Sequence, residues 1–168
     1  YKWKDLPKLM HRTVKTVTIV MILIGFAASF GYIMTMMQIP LKITTLFTSF
    51  SSEAWVILAC INIMLLVLGT LMDMAPLILI LTPILLPVIK SIGIDPVHFG
   101  MIMMVNLGIG LITPPVGAVL FVGSAVAKLK IEQVVKAMKP FFVILLFVLM
   151  LVTYVPQISL WLPRTMGL

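Results

Sequence analysis

Charge is scarce in this 168-residue sequence, because charged residues make up 10% of it and hydrophobic residues 62%. A water-soluble globule needs more polar surface than this to cover its core. The composition therefore excludes a soluble domain and predicts a chain embedded in a lipid bilayer. One helical crossing takes about 20 apolar residues, so the length allows roughly four or five hydrophobic segments. These are too few to enclose a substrate path, and we expect a fragment of a longer polypeptide or a single subunit.

Residues that carry covalent or metal chemistry are also few. Cys60 is the only cysteine, which excludes an intrachain disulfide and a thiolate metal cluster. The apolar segments contain no His-Glu-x-x-His motif, no paired aspartates and no serine with a nearby His or Lys. The sequence therefore argues against an intramembrane enzyme.

Acidic residues number only five against 12 basic ones, giving a formal net charge of +7. The basic residues occur in short runs between hydrophobic segments, where they set the orientation of a chain in the membrane. No soluble basic domain is present to bind nucleic acid. The lipid bilayer is therefore the expected partner of these charges.

The first 53 residues predict a helical arm followed by a crossing. Basic residues interrupt 1–16, yet the apolar residues there recur with helical spacing, which predicts an amphipathic interfacial helix. For 17–53 we expect a transmembrane helix that ends near Ile39-Pro40, followed by a loop or short surface helix rich in Thr and Ser.

Residues 54–90 contain an apolar stretch that is too long for one crossing. A continuous helix over 54–89 would be on the order of 54 Å long, nearly twice the roughly 30 Å hydrocarbon core. The stretch is interrupted at 69–76, which reads GTLMDMAP. Each half has about 15 residues, fewer than a comfortable crossing. These lengths predict a re-entrant helical hairpin with its tip near mid-membrane.

A second interrupted stretch lies in 91–127, where 108–117 reads GIGLITPPVG. Two adjacent prolines remove two backbone donors and push the preceding residues toward extended geometry. We therefore expect a discontinuous transmembrane helix that crosses the bilayer and unwinds here. Residues 128–168 predict a short basic helix and then a final crossing, from Pro140 to about Tyr154 or Trp161.

The basic clusters in the arm and in 128–139 test this topology, because segments rich in Lys and Arg favour the cytoplasmic side. An even number of crossings must separate two clusters that share a side. A re-entrant 54–90 gives two crossings, whereas a single crossing by 54–89 would leave one cluster outside. Two short full crossings would also satisfy the parity, so length alone favours the hairpin.

Irregular backbone at membrane depth is tolerated only where protein or a water-filled cavity satisfies its polar groups, so two breaks indicate a binding site. Broken helices present carbonyl oxygens to a cation and helix N-termini to an anion. A simple kink would explain either break alone. The candidates for substrate contact in these breaks are Asp73, Asn106 and Pro114.

Two of these candidates have an alternative structural role. Asp73 is the only acid well inside a hydrophobic segment, and it either serves the site or caps the half-helix that starts near Met74. Asn106, like Asn62, either serves the site or forms a hydrogen bond to a neighbouring helix.

Three motifs carry a family resemblance: GTLMDMAP at 69–76, LTPILLP at 81–87 and NLGIGLITPPVG at 106–117. They resemble the large membrane subunit of tripartite ATP-independent periplasmic (TRAP) transporters, the DctM type, over roughly residues 55–128. The matching part is the C-terminal half, the second of two inverted repeats. The resemblance implies a sodium-driven elevator mechanism, with the arm and first crossing in the scaffold and 54–127 in the moving transport domain.

The same resemblance implies a sodium site formed by Gly69, Gly110, Thr113 and Val116, while the family's other sodium site needs the absent repeat. Sodium is a hard cation suited to backbone carbonyls and the Thr113 hydroxyl. No cofactor is expected beyond this coupling ion. The implied location is the bacterial inner membrane.

The implied partners are the N-terminal half of the large subunit, a small TRAP membrane subunit, either separate or fused, and a periplasmic substrate-binding protein. The binding protein would deliver an organic acid, typically a C4-dicarboxylate or sialic acid. We therefore expect sodium-coupled uptake of a small organic acid.

Two other functions remain open on the sequence. Re-entrant segments also serve ion channels, but a selectivity filter usually repeats one loop symmetrically, and these two breaks differ in sequence. A purely structural membrane subunit would be favoured if Gly69 and Thr113 tolerated bulky or apolar replacements.

Overall fold

The computed structural model describes residues 6–50, 53–114 and 117–167, and no β-strand occurs within these ranges. The described chain forms the following helices: α1 Leu6–Met36, α2 Ile39–Phe50, α3 Ala54–Leu71, α4 Met74–Ser91, α5 Pro96–Leu111, α6 Ala118–Ala127, α7 Ile131–Tyr154 and α8 Pro156–Thr165. The expected all-α class is confirmed for this part of the chain.

Four helices, α1, α3, α4 and α7, are long and apolar enough to cross a membrane. Large apolar side chains cover their outer surfaces and those of α6, as Phe26 at 72% and Val126 at 80% exposure illustrate. Such exposure is unfavourable in water but suits contact with acyl chains. The chain is therefore a multi-pass membrane protein.

Helix α1 joins the predicted arm to the predicted first crossing with no interruption at residue 16. Its 31 residues span about 46 Å, more than the roughly 30 Å hydrocarbon core, so part of the helix extends past that core. Gln38 has φ 53° beyond the end of α1, and Pro40 lies in the first turn of α2. Residues 1–5 of the predicted arm lie outside the described residues. The division into arm and scaffold helix stays a prediction.

Helices α3 and α5 form the centre of the described core. Ile61 of α3 and Leu107 of α5 have no exposed surface, and these two helices pack together more extensively than any other described pair. Residues from the N-terminal ends of both helices line one cavity, and Gly69 contacts Gly110 near their C-terminal ends. The two helices therefore run in the same direction. Because α4 links the end of α3 to the start of α5, it runs the opposite way.

Helix α4 packs on the other side against α1 and α2. A methyl group added at Gly31 of α1 would lie 3.5 Å from Cβ of Pro83, which is ordinary van der Waals distance. Pro83 and Pro87 both lie inside α4 without ending it. Membrane helices tolerate internal proline because neighbouring helices and local adjustments satisfy the freed backbone groups.

The second break begins later than predicted. Helix α5 stays helical through Gly108 and Gly110 and ends at Leu111. Glycine weakens a helix by only about 1 kcal/mol, whereas adjacent prolines remove backbone donors. Helix α6 begins at Ala118, after the break.

The basic segment predicted at 128–139 is continuous with the final crossing. Helix α7 starts at Ile131 and runs through Pro140 to Tyr154 as one helix of 24 residues. Pro156 then opens α8, a short helix that contacts α5 and α7. The prediction that a basic helix ends at Lys139 was therefore wrong. Neighbouring helices and local adjustments satisfy the backbone groups that Pro140 frees, as they do for the prolines of α4.

Candidate functional site

The first break occupies two residues between α3 and α4. Met72 and Asp73 have extended backbone angles, and the N–H of Met72 donates to the carbonyl of Leu68 at 3.0 Å. The carboxylate of Asp73 accepts a hydrogen bond from the N–H of Met74 at 2.8 Å, which makes it the N-cap of α4. The capping role foreseen for Asp73 is confirmed, and its contact with substrate stays a prediction.

Thr113 lies at the start of the second break, just after the end of α5. Its N–H donates to the carbonyl of Gly110 at 2.9 Å, and its hydroxyl donates to the carbonyl of Ile109 at 2.7 Å. The hydroxyl group therefore donates its proton to the end of α5, and the lone pairs of its oxygen remain available to another partner. A side chain in place of Gly117 would meet the carbonyl oxygens of Thr113 and Leu111, 3.1 and 3.2 Å from its first carbon. Both carbonyl groups therefore lie close to the start of α6.

The structure brings the two breaks together through Gly69 and Gly110, both of which are buried. A methyl group at Gly110 would lie 2.6 Å from Cα of Gly69 and 2.8 Å from its carbonyl oxygen. Real side chains essentially never come so close, so the two backbones touch where no Cβ is present. Gly69 and Gly110, predicted from separate segments, therefore lie in direct contact, and their binding of sodium stays a prediction.

The electrostatics of this meeting point favour a cation. Helices α3 and α5 run in parallel and end at Leu71 and Leu111, so two C-terminal ends with partial negative charge converge. The carbonyl oxygens of Leu68, Ile109 and Gly110 each accept a hydrogen bond at these ends, but a carbonyl oxygen has two lone pairs and can also bind a hard cation. No acidic side chain is needed for such a site.

A cavity of about 330 Å³ lies beside the meeting point. Among the described residues, Thr70 and Thr113 are its two polar lining residues, and the remaining described lining is apolar: Leu66, Val67, Ile109, Phe142 and Leu146. The sequence motifs did not single out Thr70, although its position next to Gly69 in a membrane break is a signal for it. Its hydroxyl donates to the carbonyl of Val67 at 2.8 Å, as that of Thr113 does to Ile109.

The remaining predicted residues lie at different positions relative to this cavity. Asn106 has no exposed surface, and its side-chain amide donates to Asn62 at 2.7 Å, which confirms the interhelical bond offered as an alternative. Pro114 is exposed, and Val116 lies outside the described residues. A direct role for either Asn106 or Pro114 at the substrate stays a prediction.

Among the described residues there is no group of three or more His, Cys, Asp or Glu side chains able to hold a metal ion. A cation at the meeting point would therefore rely on backbone and hydroxyl oxygens. Sodium has this preference, since it shares the hard oxygen chemistry of calcium and magnesium but needs less charge from its ligands.

Comparison with known sequences shows a clear match along nearly the whole chain. Residues 1–158 match the family described as "Tripartite ATP-independent periplasmic transporter, DctM component". An uncharacterised protein of Salmonella typhimurium, YgiK, is 49% identical over 90% of this chain and 35% of its own length.

Two further relatives carry functional names. The isethionate TRAP transporter permease protein DctMQ of Oleidesulfovibrio alaskensis is 47% identical over 87% of this chain and 23% of its own length. The C4-dicarboxylate TRAP transporter large permease protein DctM of Pseudomonas aeruginosa is 42% identical over 98% of this chain and 38% of its own length. The chain thus spans at most 38% of the length of these three relatives.

Proposed function

The chain belongs to the DctM family of tripartite ATP-independent periplasmic transporters, and from that premise we propose that it forms part of a permease for sodium-coupled uptake of a small organic acid. The observation that carries the proposal is the contact between Gly69 and Gly110, which joins two helix breaks into one site. The family is one of transporters rather than of enzymes.

Sodium is the proposed occupant of the meeting point of α3 and α5. The converging helix ends supply a negative potential, and the carbonyl groups near Gly69 and Gly110 supply oxygen ligands. The hydroxyl oxygen of Thr113 adds a side-chain ligand at the edge of the 330 Å³ cavity. Val116 is the fourth proposed ligand, through its carbonyl oxygen.

The organic acid is proposed to bind on the other side of the two breaks, where α4 and α6 begin. Helix N-termini carry partial positive charge and free N–H groups, which suit a carboxylate. The N-terminus of α4 is already capped by Asp73, whereas Gly117 at the start of α6 provides no side-chain cap. Helix α6 is therefore the better anion contact, next to Pro114 in the same break.

Coupling follows from this arrangement, because the cation and the anion would share two short segments of irregular backbone. Sodium binding between the C-terminal helix ends would fix the breaks in the shape that presents helix α6 to the anion. The energy of sodium entry would then be transmitted to the organic acid through the backbone of 111–117.

We further propose that α3 and α4 form a re-entrant hairpin and that α5 and α6 form one discontinuous transmembrane helix. The opposite directions of α3 and α4 agree with the hairpin, as they would with two short crossings, and each helix has 18 residues rather than the roughly 15 expected. The break between Leu111 and Ala118 supports the discontinuous helix. In the proposed elevator mechanism these elements move together as the transport domain, against a scaffold that includes α1. The complete permease would also contain the first of the two inverted repeats.

The proposed setting is the bacterial inner membrane, with a small membrane subunit and a periplasmic substrate-binding protein as partners. The substrate class is small organic anions. Relatives named for isethionate and for C4-dicarboxylates support that class. Within it we propose a C4-dicarboxylate or sialic acid.

Uptake into proteoliposomes tests the proposal. The complete permease that contains this chain, with its small subunit and binding protein, would be reconstituted and given a panel of labelled organic acids under an inward sodium gradient. Accumulation of one acid that collapses when sodium is replaced by potassium would support the proposal. Equal accumulation in both salts would refute sodium coupling.

A further inference from the structure

Four polar side chains lie buried in the core where α3, α5 and α7 meet. They are exposed by 3% or less of their surface: Asn62, His98, Asn106 and Thr153. Buried polar groups in a membrane helix bundle are costly unless they are hydrogen-bonded, and they usually mark an interaction between helices.

These four residues form one chain of hydrogen bonds. The amide of Asn106 donates to the side-chain oxygen of Asn62 at 2.7 Å, and the amide of Asn62 donates to the hydroxyl of Thr153 at 2.9 Å. The carbonyl of Thr153 lies 3.2 Å from Nε2 of His98. Because a carbonyl only accepts, Nε2 carries the proton in this contact. The chain thus ties α5 to α3, and both of them to α7.

The Asn62–Asn106 pair lies close to the proposed sodium site along the helix axes. Asn106 precedes Gly110 by one helical turn, about 6 Å, and Asn62 precedes Gly69 by two turns, about 10 Å. At Gly110 the two backbones are so close that an added methyl group would lie 2.6 Å from Gly69. Sliding α3 along α5 by a single residue, about 1.5 Å, would therefore separate the two glycines.

Packing of the surrounding apolar side chains does not define such a register well by itself. Ile61, Leu65 and Leu107 are fully buried, but branched apolar side chains permit several neighbouring registers at similar energy. Directional hydrogen bonds, in contrast, permit only one register of the two helices. A single buried asparagine fixes register in helical coiled coils in the same way.

The pair is not arranged for greatest stability. The side-chain oxygen of Asn106 has no hydrogen-bond partner among the described residues, although the residue has no exposed surface. An unsatisfied buried acceptor is unfavourable, and an apolar pair of similar size would avoid it. Residues that weaken a core in this way are expected at functional positions.

We propose that Asn62 and Asn106, held by Thr153, are positioning residues that set the register of α3 against α5 and thereby the approach of Gly69 to Gly110. This role rests on the proposed sodium function. Removing the pair would leave the helices packed but displaced, and the carbonyl oxygens would no longer surround one point.

The test compares single and double leucine variants in the complete permease. Asn106→Leu leaves Asn62 with an unpaired buried group and lowers the melting temperature. The double variant Asn62→Leu/Asn106→Leu removes both partners and restores melting toward the wild-type value, because no polar group of the pair is left unpaired. The hydroxyl of Thr153 loses the amide of Asn62 but can still donate to a carbonyl group of its own helix.

The sodium concentration for half-maximal uptake separates positioning from folding. Loss of one interhelical hydrogen bond in a membrane changes an equilibrium constant by about threefold to about fifteenfold. We therefore expect the double variant to need about threefold to about fifteenfold more sodium for half-maximal uptake, despite its restored melting temperature. A double variant with wild-type melting and wild-type sodium dependence would overturn the proposal.

Thr153 provides a second, milder pair of variants. Thr153→Val removes the hydroxyl that Asn62 donates to and should raise the sodium requirement. Thr153→Ser keeps the hydroxyl and should have the wild-type sodium requirement. Thr82→Val is the control, because the hydroxyl of Thr82 donates to Ile78 of its own helix at 2.6 Å and contacts the sulfur of Met103 at 3.8 Å, but takes no part in the chain from Asn106 to Thr153. An equal effect of Thr153→Val and Thr82→Val on the sodium requirement would contradict the proposal. This comparison holds even if the double leucine variant does not fold.

A direct measurement of register keeps this proposal separate from sodium coupling. Spin labels at Ile63→Cys in α3 and Met104→Cys in α5, in a Cys60→Ala background, lie on exposed faces of the two helices. We expect the distance between the labels to shift or broaden in the double leucine variant. An unchanged distance would refute the positioning role. A changed distance in a permease without sodium dependence would refute only the proposed function.

Discussion

Gly69 and Gly110 touch backbone to backbone, and the contact admits no side chain at Gly110, where a methyl group would lie 2.6 Å from Cα of Gly69. Gly108, two residues earlier on the same helix, has nothing within 4 Å of the corresponding position. Gly108 and Gly110 therefore have different roles. Of these two, only Gly110 is required for the two helix ends to meet.

This difference gives a prediction for alanine substitution. Gly110→Ala should force α3 and α5 apart, at a cost of about 1–3 kcal/mol for an overpacked core, and should reduce sodium-driven uptake at least about tenfold. Gly108→Ala is the control and should leave uptake unchanged while slightly stabilising the helix. Initial rates of uptake and melting temperatures check both variants. Equal activity of Gly110→Ala and Gly108→Ala would show that the contact is not needed.

Asp73 allows a capping role to be separated from a substrate contact. Asp73→Ala removes the acceptor for the N–H of Met74 and should lower stability by about 0.5–2 kcal/mol, whereas Asp73→Ser keeps an N-cap. If capping is the only role, the serine variant should retain both the melting temperature and the KM for the organic acid. A raised KM in a stable serine variant would instead place the carboxylate at the substrate.

The topology can be tested with single cysteines in a Cys60→Ala background. Lys8→Cys in α1 and Lys130→Cys before α7 should both react with a membrane-impermeant maleimide from the cytoplasmic side. Glu53→Cys and Gly93→Cys, at the outer ends of α3 and α4, should react from the periplasmic side. Labelling of Lys8→Cys and Lys130→Cys from opposite sides would refute the proposed number of crossings.

Much of the helical organisation could be predicted from the sequence because apolar length and proline position are local properties. The interruptions near Asp73 and Pro114 follow from local chemistry, and the structure has non-helical residues at both. The continuity of α7 through Pro140 could not be predicted this way, since neighbouring helices decide whether a proline ends a membrane helix.

The assembly of the site was harder to predict because it depends on the packing of helices distant in sequence. That Gly69 and Gly110 share a site was implied by family resemblance, whereas their direct contact and the participation of Thr70 appear only in the structure. The hydrogen-bond chain from Asn106 to Thr153 joins three helices, and no spacing rule in the sequence relates its members.

The sodium dependence of uptake after substitution of Thr113 tests the central claim most directly. Thr113→Ala removes a proposed sodium ligand, and Thr113→Ser retains the hydroxyl that donates to Ile109. In proteoliposomes with the complete permease, half-maximal uptake should require at least about tenfold more sodium for the alanine variant, as expected for loss of one oxygen bound to a charged group. The serine variant should follow the wild-type curve. Superimposable sodium titrations of wild type and Thr113→Ala would contradict the proposed site.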